Sequence, residues 1–150
     1  MIGGVKIKKL VTHSDDRGYF REILRDDDKL LHHFGQASIS FTKPGVTKAF
    51  HWHKHQDDLF YVLSGNALIV LYDIRKNSRT YKQLMTFKMS EKEPNLLFIP
   101  KRVVHGYKVL GKKPLLMLYF MSRSYNKKKP DEQRIPFDDK KIGFKWARYK

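Results

Sequence analysis

The residues of this chain best suited to moving a proton or holding a metal are grouped. His51, His53 and Asp58 fall within one short stretch, and His105 lies farther on. His51 and His53 are two apart, so on a β-strand both side chains project from one face. If that face looks into a barrel, His105 on a facing strand joins them. His51, His53, Asp58 and His105 together offer three imidazoles and a carboxylate, a set that suits Fe, Mn, Ni or Zn. Without a metal, a neutral imidazole held in one orientation is a base of nearly the right strength to remove a proton beside a ketone. His55, outside this spacing, reads as a solvated loop residue.

Such a cluster needs strands to hold it. Ala37 to Phe41, Asp58 to Leu63, Ala67 to Tyr72, Leu96 to Ile99 and Leu115 to Met121 are short apolar or alternating runs. They are rich in β-branched and aromatic residues and bounded by Gly, Pro, Asn or Asp, which predicts strands. Ser64-Gly65-Asn66 reads as the turn of a hairpin. Leu24 to Phe34 is compatible with a short helix or a loop. Many short strands with regular turns predict one all-β domain over residues 1–150, a sandwich or closed barrel.

At 150 residues, 41% hydrophobic and 13% aromatic, the chain can bury a core without staples. It has no cysteine, which excludes disulfides, thiolate nucleophiles and thiolate metal sites. No run approaches the roughly 18–20 apolar residues of a membrane span, and Met1-Ile2-Gly3-Gly4-Val5 does not resemble a secretion signal. A cytoplasmic protein with no membrane partner is expected. Thirty-one Lys and Arg against fifteen Asp and Glu give a formal charge of +16, which favours anionic partners. The basic residues are scattered, and Lys127-Lys128-Lys129 runs into Pro130 as a solvated loop. A phosphate-bearing small molecule is therefore expected rather than nucleic acid.

Gly45, His51-Trp52-His53, Asp58 and Gly65, followed by Pro100 to His105-Gly106, resemble the two motifs of the cupin superfamily. That resemblance implies a double-stranded β-helix, or jelly-roll, barrel. Six segments in order are similar to one cupin family, the dTDP-4-dehydrorhamnose 3,5-epimerases: Asp16 to Glu22, Gln36 to His51, Tyr72 to Tyr81, Ile99 to Tyr107, Leu118 to Tyr125 and Asp138 to Trp146. The resemblance implies that His51 is the general base, Asp139 its carboxylate partner and Tyr119 the general acid. Tyr125 is implied as a second tyrosine of the sugar pocket and His105 as a substrate contact. Arg17, Phe20, Glu22, Gln36, Lys48, His53 and Arg75 are implied around a nucleotide-diphosphate sugar, with no cofactor. Read without the resemblance, Asp139 beside Asp138 is a turn, Tyr119 is barrel packing and Arg17 before Gly18 is a surface turn residue.

The resemblance also implies a homodimer with exchanged N-terminal strands, and Val5 to Leu10 alternates as a strand laid on a sheet edge would. The chain departs from the family pattern at three positions. Lys48 stands where an arginine is usual, His53 where a glutamine is usual, and Asp58 where a lysine is usual near the carbonyl. These departures keep three other readings open: a ketoisomerase that moves the keto group, a metal-dependent cupin oxygenase or isomerase using His51, His53, Asp58 and His105, and a silent sugar-binding cupin.

Overall fold

Alternating and β-branched runs make strands of nearly half the chain. The structure, a computed structural model, describes residues 1–150. Its strands are β1 (Lys6–Lys9), β2 (His13–Asp15), β3 (Gly18–Phe20), β4 (Gln36–Thr42), β5 (Thr47–His53), β6 (Asp58–Ser64), β7 (Asn66–Asp73), β8 (Leu84–Ser90), β9 (Asn95–Ile99), β10 (Val103–Leu110), β11 (Leu115–Met121) and β12 (Glu132–Arg134). They form two five-stranded sheets, β1-β9-β6-β11-β4 and β12-β5-β10-β7-β8, with β2 and β3 as a separate ribbon. Neighbours pair antiparallel, and the two sheets pack as a jelly-roll-like sandwich. No helix is long and apolar enough to cross a membrane.

All five runs expected to be strands are strands. The segment from Leu24 to Phe34 holds only a 3-10 turn at Asp26–Asp28. Its Leu24, Leu30 and Leu31 pack on the outside of the first sheet against Leu59, Tyr61, Leu96 and Phe98. This lid explains why β6 reads as a continuous apolar run: its outer face is covered as well as its inner one. The turn at Ser64-Gly65-Asn66 is real but does not close a hairpin. β6 pairs with β11 and β9, and β7 with β10 and β8, so Gly65 carries the chain from one sheet to the other. Gly65 has φ +89°, and a Cβ there would stand 2.5 Å from the Pro114 carbonyl oxygen, so only glycine fits.

The inner face of the sandwich is apolar at one end, where Phe60, Val62, Ile69, Leu71, Leu97, Val109, Leu115 and Met117 form the main core. Each such side chain contributes roughly 1.5–3 kcal/mol by leaving water. The outer face of the second sheet is covered by the C-terminal segment: Ile142 and Trp146 pack on Phe50, Leu68, Val70 and Val104. β1 lies antiparallel on β9, with Lys6 opposite Phe98 and Lys9 opposite Asn95.

Candidate active site

The open end of the sandwich is lined by side chains from both sheets, and strict alternation alone would not put them there. Lys48 and His51 are three apart on β5, so a regular strand would point them to opposite faces. Opposite them, His105 pairs with His51 and Tyr107 with Lys48, so Ala49 and Phe50 together face the single residue Gly106. This β-bulge restores Lys48, His51 and His53 to the inner face and sends Phe50 outward against Trp146, ring centroids 5.3 Å apart. Gly106 is required by it: a Cβ there would fall 2.4 Å from the Ala49 Cβ.

His51, His53 and His105 converge, with one ring nitrogen of each within 4.8 Å of the others. His51 stands edge-on to His105, centroids 4.1 Å apart. The Nδ1 of His105 lies 2.9 Å from the Val103 carbonyl, so that nitrogen carries the proton and Nε2 keeps its lone pair. Asp58 enters from the opposite sheet, its Oδ2 3.4 Å from Nε2 of both His53 and His105. That is too long for a full hydrogen bond; the amide of Gln56 donates to its other oxygen at 2.8 Å. Burial, and then the nearby charge of His53, lower His51 to about 4. His105 is held well below its ordinary value by burial and by the two other imidazoles. Burial raises Asp58 to about 7, against the opposing Gln56 hydrogen bond. Burial works against charge on each of these groups, and Nδ1 of His53 and Nε2 of His105 are buried without hydrogen-bond partners.

Across the cleft, Tyr119 of β11 packs edge-on against Phe60 and donates its hydroxyl hydrogen bond to Tyr107 at 3.2 Å. Burial raises Tyr119 above its ordinary value, and the neighbouring Tyr107 adds to this. Lys48 Nζ donates to Ser40 Oγ at 3.0 Å. Gln36 donates to Ser38 and accepts the backbone N–H of Tyr125 at 2.9 Å, which fixes the loop carrying that tyrosine at the rim. The cleft, about 1610 Å³, is lined by His51, His53, Lys48, Gln36, Tyr119 and Tyr125 among others.

Other expected site residues lie elsewhere. Asp139 does not partner His51. Its Oδ1 accepts the backbone N–H groups of Lys141 and Ile142, in the turn that starts the C-terminal cover of the outer face. The carboxylate whose charge reaches His51 is Glu132, opposite His53 on β12. Arg75 does not line the cleft; its guanidinium is held by buried Asp73 and the Gly3 carbonyl. His105 is 1% exposed and forms the floor rather than the wall. Arg17, Phe20 and Glu22 are outside the cleft of their own chain. Arg17 pairs with Asp15 and Glu22 with Arg25, and Phe20 is 65% exposed on the β2–β3 ribbon. Arg21 anchors this ribbon, donating to Thr12 and to the Tyr61 hydroxyl. Sequence reasoning missed Tyr107, Gln56 and Glu132. Alternation with His105 could have pointed Tyr107 inward; nothing local marks the other two.

Comparison with known proteins gives a consistent result. The family model for dTDP-4-dehydrorhamnose 3,5-epimerase matches residues 1–150. The chain is 57% identical over 146 residues to the spore coat polysaccharide biosynthesis protein SpsL of Bacillus subtilis (strain 168), across 97% of each chain. Among solved structures it is similar to the dTDP sugar isomerase of Desulfovibrio desulfuricans G20, with a TM-score of 0.90, 28% identity, and coverage of 97% of this chain and 92% of that one. It is also similar to the dTDP-6-deoxy-D-glucose-3,5-epimerase RmlC of Legionella pneumophila Philadelphia 1, solved with dTDP-4-keto-L-rhamnose. There the TM-score is 0.86 and the identity 26%, over 97% of this chain and 79% of that one.

Proposed function

The chain belongs to the dTDP-4-dehydrorhamnose 3,5-epimerase family, and from that premise we propose that His51 and Tyr119 invert a carbon beside the keto group of a dTDP-4-keto-6-deoxyhexose. The observation that carries this reading is that His51 sits on one sheet and Tyr119 on the other, both lining the same cleft. A sugar ring lying between them offers one face to a base and the other to an acid. His51 removes the proton next to the carbonyl, and the electron pair left behind spreads onto the carbonyl oxygen as an enolate. Tyr119, held protonated by its buried surroundings, returns a proton from the opposite side, and the carbon is inverted. The ammonium of Lys48 supplies positive charge to the developing oxyanion. Asp58 does not oppose it strongly, because burial biases that carboxyl toward its neutral form.

The nucleotide end is a matter of two chains. Arg17, Phe20 and Glu22 stand on a ribbon that projects from its own barrel, and they complete the cleft of a partner subunit in a homodimer. Phe20 stacks on the base, Glu22 accepts a ring N–H and Arg17 pairs with the diphosphate. The charge of +16 draws such an anion in. The enzyme works in the cytoplasm, where nucleotide sugars are made. Incubation with dTDP-4-keto-6-deoxyglucose, followed by NMR, should show an inverted centre next to C4; a product whose keto group has moved would replace epimerisation by ketoisomerisation.

One observation favours a second reading. His53 Nδ1 and His105 Nε2 are buried and unpartnered, and three converging neutral imidazoles fit a divalent transition metal. On that reading His51, His53 and His105 would hold the ion and Asp58 would complete the set, the ion polarising a carbonyl. The epimerase reading expects well under one metal per purified chain and no inhibition by EDTA. One tightly held ion per chain, lost in His53→Ala, would favour the metal reading.

A further inference from the structure

One wall of the cleft carries positive charge that the proton chemistry does not use. Lys54, Lys101, Arg123 and Lys129 line it, from the chain just past β5, β9 and β11 and from the loop before β12. All four are exposed, and none pairs with a carboxylate. The acidic residues beside them are committed elsewhere. Asp57 accepts the backbone N–H of Lys101 at 2.8 Å, and Asp131 accepts those of His55 and Gln56 at 2.9 and 3.0 Å. Glu132 is held by Arg134 at 2.7 Å. Two of the four cations also have their backbone fixed. Gly35 lies flat on Arg123, where any Cβ would overlap the Arg123 backbone, and its carbonyl accepts Ser124 Oγ at 2.9 Å. Tyr125 N–H is held by Gln36. Farther along, Asn126 Oδ1 accepts the backbone N–H groups of Lys128 and Lys129 at 3.0 and 3.2 Å, as in an Asx turn. The stretch from Arg123 to Asp131 is thus pinned at both ends and in the middle, with a guanidinium and an ammonium held at the cleft without anionic partners.

We propose that Arg123 and Lys129 form an anion clamp on the chain's own side of the cleft, which grips the diphosphate of the nucleotide sugar. The inference rests on the nucleotide-sugar reading of the site and adds to it two residues to which the family resemblance gives no role. Both phosphoryl groups of a diphosphate are charged, and a planar guanidinium can take two oxygens of one while the ammonium takes an oxygen of the other. Lys54 and Lys101 add to the local field. The clamp touches no reacting atom, so it holds substrate and transition state equally. Its loss therefore weakens binding and leaves the chemical step alone.

The test is Arg123→Gln and Lys129→Gln, singly and together, read by dTDP calorimetry and by kinetics with dTDP-4-keto-6-deoxyglucose. In the double variant the Kd of dTDP and the KM should each rise tenfold or more, while kcat stays within about twofold of wild type. Each single variant should show part of the rise. Both side chains are exposed, so the melting temperature without ligand should not move. The control is Lys140→Gln with Lys145→Gln, which removes the same charge from exposed positions outside the cleft and should leave Kd and KM within about twofold. An unchanged Kd in the double variant, an equal rise in the control, or a loss confined to kcat would overturn the clamp. A wild-type enzyme that binds dTDP, loses it in the double variant and yet inverts no carbon would support the clamp and contradict the epimerase reading.

Discussion

Charge at single residues decides whether this cleft can do proton chemistry. A surface histidine titrates near 6.5, but burial and the neighbouring His53 hold His51 down to about 4. A base works only in its neutral form, so lowering its pKa extends activity to the acid side. The kcat/KM profile should therefore stay flat from pH 7 to about 5 and fall only as pH drops through roughly 4. An acid limb near 6.5 would place the working histidine in water or give it an anionic partner. Here the sequence was informative about identity and less so about partnership. The i, i+2 pair His51 and His53 shares a face because alternation on a strand is local. The partner assigned to His51 by resemblance, Asp139, is instead held by two backbone N–H groups of its own turn. That is the common fate of an aspartate two or three residues ahead of free amides.

At the scale of elements, the site depends on one irregularity in β5. Without the bulge opposite Gly106, either Lys48 or His51 would leave the cleft. Gly106→Ala should push β5 away from β10, because the added methyl would overlap Ala49. The expected result is a loss of about 1–3 kcal/mol in stability, as for other overpacked sites, together with a larger loss of kcat as His51 shifts. Wild-type activity with an unchanged melting temperature would show that the bulge does not set the site. Strands were legible wherever apolar alternation or a continuous apolar run marked them, as from Ala67 to Tyr72. Their pairing was not: Ser64-Gly65-Asn66 has the composition of a hairpin turn yet joins strands of different sheets. Composition reports the turn, whereas the sheet each strand joins is fixed by partners as distant as Met121, opposite both Gln36 and Asp58. Glu132 escaped notice for the same reason, being placed beside His53 only by the pairing of β12.

At the scale of the molecule, one chain brings His51 and Tyr119 to the same cleft and leaves Arg17, Phe20 and Glu22 outside it. β1 pairs with β9, and the β2–β3 ribbon with its turn carries Arg17 and Phe20 outside the cleft of their own chain. Arg17→Ala and His51→Asn chains, each inactive alone, should complement when unfolded and refolded together. At equal mixing half the dimers are mixed and each has one intact cleft, so activity should return to about a quarter of wild type. No recovery from a properly refolded dimer would confine each cleft to one chain. The same assembly predicts that dTDP stabilises the fold by roughly 2.7 kcal/mol at a hundredfold excess over Kd, seen as a higher melting temperature, and that Arg17→Ala removes most of the gain. Equal stabilisation by inorganic pyrophosphate would reduce the effect to the diffuse field of a basic protein.

The most direct test of the account is whether His51 takes the proton. Wild-type and His51→Asn enzymes would each be incubated with dTDP-4-keto-6-deoxyglucose in D2O and the sugar followed by NMR. The account predicts deuterium at an inverted carbon next to the keto group with wild type. With His51→Asn it predicts neither exchange nor inversion, a loss of at least about a thousandfold, or roughly 4 kcal/mol of barrier, while dTDP still binds. Deuterium entering at the wild-type rate in His51→Asn would contradict it.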